Sequence, residues 1–172
     1  MKHVIPEKIG NFNVYNFGKK LLGVSDEITL PEIVQKVTTL SGPGILGEYE
    51  SPVKGMFEKM EMEIPFRTLF DDAFDILSLL VYADLTLRGS IDISDGQGGR
   101  DEIGLRVVVR GDVKNFNPGK VKIGEGTGSS LKLSIAYIKI EIDGKERLEI
   151  DVFNSIYRVN GIDMLAKSRS LC

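Results

Sequence analysis

Leu131-Lys132-Leu133-Ser134-Ile135-Ala136-Tyr137-Ile138-Lys139-Ile140-Glu141-Ile142, continued by Asp143-Gly144 and then Leu148-Glu149-Ile150-Asp151, decides the fold class. Apolar residues recur every second position, the period of a half-buried strand. They stand at odd numbers up to Ile135 and at even numbers from Ile138, so the apolar face switches near Ala136. A one-residue slip turns every side chain to the opposite face, and the switch therefore predicts a bulge or a strand passing between two environments. Asp143-Gly144 suits a type I′ turn, which needs positive φ at both central residues, so a hairpin follows with Leu148 and Ile150 facing inward.

The same period extends outward from that hairpin. Leu85, Leu87, Ile91 and Ile93 alternate with Arg88, Ser90 and Asp92, and the turn Asp95-Gly96-Gln97-Gly98-Gly99 returns the chain into Ile103 to Val113. Upstream, Met60, Met62, Ile64 and Phe66 alternate with Glu61 and Glu63 in a strand predicted between Met56 and Phe66. Phe12, Val14, Leu21 and Leu22 flank Asn16-Phe17-Gly18, a further hairpin with glycine in its turn, and Ile33 to Leu40 is a β-rich strand candidate. Only Thr68 to Leu80 changes period: Leu69, Ala73, Ile76, Leu77 and Leu80 share one helical stripe, Thr68 with Asp71 resembles a capping box, and Asp71 and Asp72 complement the helix N-terminus. Gly161 to Arg169 is predicted as a short terminal helix with an Asp163 to Lys167 pair. The expected architecture is mainly β, a sandwich or barrel-forming sheet with one flanking helix and a short C-terminal helix, in a single domain over residues 1–172.

Composition agrees with that reading. Glycine at 19 of 172 residues exceeds the usual ~7% and favours many turns. Net charge is −3, without a dominant basic block, so tight binding of nucleic acid is disfavoured. No apolar run approaches the roughly 18 residues of a membrane span, and the expectation is a soluble subunit made in the cytoplasm and not inserted into a membrane. The one histidine, His3, and the one cysteine, Cys172, stand at opposite ends, which removes a Ser-His or Cys-His couple, a zinc site and an intrachain disulfide. Gly42-Pro43-Gly44-Ile45-Leu46-Gly47 matches GxGxxG, but Tyr49-Glu50-Ser51-Pro52 follows where a dinucleotide site needs a helix. Residues 41–54 read instead as a long adaptable loop. No enzyme activity, metal or cofactor is expected.

Ile5-Pro6-Glu7-Lys8, Asn11-Phe12-Asn13-Val14-Tyr15, Leu21-Leu22-Gly23, Thr29-Leu30-Pro31, Phe66-Arg67-Thr68, Leu87-Arg88-Gly89, Val107-Val108-Val109-Arg110-Gly111 and Tyr157-Arg158-Val159-Asn160-Gly161-Ile162-Asp163 recur in an informative order. Together with the 137–151 strings they make the chain resemble the major tail tube proteins of contractile-tailed bacteriophages, a family shared with R-type bacteriocins. That resemblance implies a structural virion protein whose hexameric rings stack into the inner tube of the tail, assembled in the host cytoplasm. It further implies a channel for DNA, or an empty puncturing tube, and as partners a sheath, a baseplate or initiator, and a terminator. A carrier like the tube of type VI secretion and a β-sandwich binding module are the alternative readings.

Two placements follow as expectations. The 41–54 loop, with Gly42 and Gly44 beside Ile45, Leu46, Tyr49 and Val53, reaches a neighbouring subunit or ring. Glu61 and Glu63 face the lumen, where like charge keeps passing DNA from adhering; a solvated outer wall is the alternative for them.

Overall fold

The computed structural model describes residues 4–78 and 82–171. In chain order its elements are β1 (Ile5–Asn16), β2 (Lys19–Lys20), β3 (Gln35–Leu40), β4 (Tyr49–Phe57), β5 (Met60–Phe66), α1 (Asp71–Leu77), β6 (Ala83–Ser94), β7 (Arg100–Asn117), β8 (Ser129–Ile142), β9 (Lys145–Asp151), β10 (Ile156–Val159), β11 (Ile162–Asp163) and α2 (Ala166–Leu171). The fold is mainly antiparallel β with two helices. One large sheet runs β11-β10-β9-β8-β7-β6-β1-β2, with β5 added beside β8, and β3 and β4 form a separate two-stranded ribbon.

The expected bulge falls at Ala136. Arg110 opposes Tyr137 while the next residue, Gly111, opposes Ile135, so Ala136 is left out of the ladder. Ile135 and Ile138 therefore both turn inward and are buried. The same strand also changes partner there: β8 pairs with β5 over Ser129–Ile135 and with β9 over Tyr137–Ile142. The hairpin after it closes as predicted, with Asp143 at φ 52° and Gly144 at φ 69°.

One core collects the apolar faces of all these strands: Met62, Ile64 and Phe66 of β5, Leu85 of β6, Val107 and Val109 of β7, Leu131, Leu133 and Ile138 of β8, and Ile150 of β9. Ala73 and Ile76 of α1 close it. The β5–β8 part and the β6–β9 part of the sheet bury their apolar sides in this common core and leave their charged side chains outside it.

Three local expectations are corrected. Thr68 is not a helix cap: α1 begins after Phe70, which makes no side-chain capping bond, and the loop is tied down by the Leu69 N–H donating to Thr127 Oγ1 at 2.7 Å. Asp163 lies in β11 and its carboxylate meets Arg169, not Lys167, because Ile162 pairs with Val159 before the final helix starts. The irregular stretch after β3 ends at Glu48; Tyr49–Phe57 is a strand despite Ser51-Pro52, since Pro52 lies on a ribbon with one partner strand, where a missing N–H costs little. Leu80, His3 and Cys172 lie outside the described residues.

Candidate assembly surfaces

The β3–β4 ribbon is anchored only at its base. Gln35 Nε2 donates to the Tyr157 hydroxyl at 3.2 Å, the Phe57 and Tyr157 rings meet edge to face at 5.0 Å, and the Glu58 N–H donates to the Val34 carbonyl at 2.8 Å. Leu165 packs against Gly55, where a Cβ would lie 2.6 Å from a leucine methyl. Beyond this base Val37, Leu40, Ile45 and Tyr49 are exposed, and Leu46 is fully so at 107%. An isolated two-stranded hairpin is marginal in water, and this one carries its apolar end uncovered.

A second surface is a free sheet edge. β1 pairs with β6 from Ile5 to Asn16, but among the described residues its other edge is paired only near its end, by β2 at Tyr15 and Asn16 and by the Leu21 N–H, which donates to the Val14 carbonyl at 2.8 Å. Unpaired N–H and C=O groups along such an edge are a template for a strand of another chain. At the opposite end of the sheet, β10 and β11 are strands of only 4 and 2 residues.

The third surface is the polar back of β6–β10, a lattice of paired charges. Arg110 Nε donates to Asp84 at 2.8 Å and its guanidinium stacks over the Tyr137 ring at 4.7 Å. Arg106 meets Glu141 at 3.1 Å, Lys139 bridges Glu141 and Glu146 at 2.9 and 3.3 Å, and Arg158 meets Glu149 at 2.8 Å. The Tyr137 hydroxyl donates to Glu149 at 3.0 Å, and burial followed by that bond pushes its pKa up to about 12. The hydrogen bond from Lys139 holds the Glu141 carboxyl below the ordinary carboxylate range. Each of these cations meets a carboxylate.

Among the described residues no three His, Cys, Asp or Glu side chains gather to hold a metal ion, and no helix is long and apolar enough to cross a membrane. Comparison with known proteins gives the family. The family model for phage tail tube protein FII matches residues 6–171. The chain belongs to that family. It is 29% identical over 168 residues to the tail tube protein of Escherichia phage P2, covering 96% of both chains, and 26% identical over 170 residues to the major tail tube protein of Serratia phage KSP20, covering 91% of this chain and 90% of that one.

For a phage tail tube protein, a structural component of the virion, the placement of the predicted residues can now be stated. Gly42, Gly44, Ile45 and Leu46 form the turn of the ribbon and Tyr49 opens β4 beside Leu40, so these stand together at the exposed end. Val53 does not join them; it is half-buried where the β3–β4 register slips near Gly55. Glu61 and Glu63 do share the polar back of β5, but lysines interrupt them. Glu61 is bonded by Lys114 and lies 3.5 Å from Lys59, while Glu63 sits opposite Lys132. Missed in the sequence was the charge lattice, whose members had registered only as the polar side of alternating strands. Its one visible signal is that Asp84, Arg106, Arg110, Lys139, Glu141 and Glu149 are charges of both signs on alternating strands, and only the tertiary structure brings them within reach of one another.

Proposed function

We propose that this chain forms hexameric rings whose stacking makes the inner tube of a contractile tail, with a sheath around it, an initiating baseplate below and a terminator above. The observation that carries this reading is the free outer edge of β1 at one end of a wide sheet whose other end tapers to short strands. A neighbour's backbone supplies the missing hydrogen bonds, the same contact repeated by rotation closes a ring, and no edge is left open. Ribbon residues Ile45, Leu46 and Tyr49 then bury against an adjoining subunit or ring, which supplies the apolar partner that the hairpin lacks.

Two polar stretches of the sheet, one on β6–β9 and one on β5, are the candidates for the walls of the tube. We assign the channel wall to the β6–β9 back and the outer wall to the back of β5 with Glu61 and Glu63. The β6–β9 back belongs to the part of the sheet that the free edge continues, whereas the outer edge of β5 is already covered by Gly23 to Ser25, through the Ser25 N–H to Pro65 and Arg67 N–H to Gly23 bonds. A wall of mutually paired charges binds DNA weakly, which suits a conduit.

Electron microscopy of the purified protein at rising concentration tests the reading: hollow tubes of stacked six-fold rings are expected, whereas isolated rings favour a secretion-type carrier and a persistent monomer a binding module. Deleting Gly44–Glu50 is expected to abolish tubes while leaving a folded subunit. A map of the tube that places Glu61 and Glu63 on the inner surface reverses the wall assignment.

A further inference from the structure

The connection between β7 and β8 presents a feature that neither the barrel nor the ribbon uses. In Pro118-Gly119-Lys120-Val121-Lys122-Ile123-Gly124, Val121 and Ile123 are the least covered apolar residues after Leu46, exposed at 98% and 101%. They are not on a floppy segment. The Lys120 N–H donates to the Thr127 carbonyl at 2.8 Å, the Gly119 N–H to Asn117 Oδ1 at 3.0 Å, and the Glu125 N–H to the Lys122 carbonyl at 3.2 Å. Two branched aliphatic side chains, alternating with two lysines, are thereby held outward in a fixed geometry.

Elsewhere on the same chain lies a groove of about 480 Å³, lined by Ile9, Phe12, Ile28, Leu87 and Leu105 together with Asp26 and Glu27. Among the described residues Asp26 reaches Arg67 at 3.9 Å and Glu27 meets no cation, while Lys122 is taken by Glu125 and Lys120 has no acidic partner. The knob is basic and apolar, the groove acidic and apolar, and each keeps one unpaired charge of opposite sign. Both lie on β7 and its extension. Leu105 is near the start of the strand and Asn117 at its end, a strand contour of about 40 Å between them.

Resting on the tube reading, we propose that the Lys120–Ile123 knob of one subunit seats in the groove of a second copy of this chain, with Lys120 facing Glu27 and Val121 and Ile123 on Phe12 and Leu105. Donor and acceptor surfaces toward opposite ends of one strand make a heterologous contact, which stacks along an axis when its rotation does not close a ring. Preorganisation of the knob removes ordering cost from the association.

Two measurements test it. Chains carrying Ile123→Cys or Ile9→Cys, each with Cys172→Ser, are mixed under mild oxidation. A disulfide-linked heterodimer is expected, and equal yields from either chain alone, or no cross-link, overturn the contact. Lys120→Glu and Glu27→Lys are each expected to raise the critical concentration for tube formation about tenfold, and the pair combined to restore it to within about threefold. A double variant as impaired as the singles overturns the pairing. Normal tubes from Val121→Ser/Ile123→Ser reject the knob but leave the tube intact, whereas cross-linking without tubes in the parent protein keeps the contact and rejects the tube.

Discussion

The β7–β8 ribbon and the β3–β4 ribbon are built from the same alternation and have opposite fates. β8 buries Leu131, Leu133 and Ile138 completely, because β5, β9 and α1 cover what β7 does not. The β3–β4 ribbon leaves Val37, Leu40, Tyr49 and Leu46 in water and is held at its base, where Gln35 and Phe57 meet Tyr157 and Leu165 meets Gly55. One hairpin is completed by its own chain. The other leaves its apolar end uncovered, and we propose that assembly buries it.

Substitutions separate these roles, beginning with the largest effect. Ile138→Ala removes a fully buried side chain beside the bulge and is expected to destabilise the subunit by about 2–5 kcal/mol, read as a lowered urea midpoint. An equal loss from Leu46→Ala would erase the distinction between the ribbons.

Asp72 gives an intermediate effect. Its carboxylate accepts from the Leu22 N–H at 2.8 Å and lies 3.1 Å from Lys19, and in that order these contacts lower its pKa below the ordinary 3.8. The resulting stability is present above the ordinary value and is lost as pH falls through the lower folded one. Asp72→Asn is therefore expected to cost about 1–3 kcal/mol near neutral pH and to flatten the acid limb of the stability profile below pH 4. Unfolding titrations of both proteins from pH 6 to pH 2 check the slope, and parallel curves would remove Asp72 from the account of the core half.

Leu46→Ser should change subunit stability least, by under about 0.5 kcal/mol, while weakening tube formation. Sedimentation of assembled tubes alongside the urea midpoint sharpens the comparison. A normal yield of tubes would show that the ribbon tip stays wet in the particle.

Much of the β scaffold was legible in the residues, and the reason is local. The phase change across Ala136 could be read because side-chain period is a backbone property, and Asp143-Gly144 announced its turn because few residues tolerate positive φ. The helix entry was misread because Leu69 is tied by Thr127, 58 positions away, and no neighbouring side chain caps α1. Asp163 was placed in a helix because a two-residue strand leaves no periodic trace, and β4 was hidden by Ser51-Pro52, which breaks a strand only where both edges are paired.

Sequence alone determined the period of the long strands, the position of the Asp143-Gly144 turn, the order of the motifs and so the family, since these depend on near neighbours along the chain. Tertiary structure alone decided that Arg106 meets Glu141 and Arg110 meets Asp84, that β1 keeps an open edge, and that the β3–β4 ribbon and the Val121–Ile123 knob stand uncovered. Pairing register and shared burial set those outcomes, and both are relations between distant segments that no local pattern encodes.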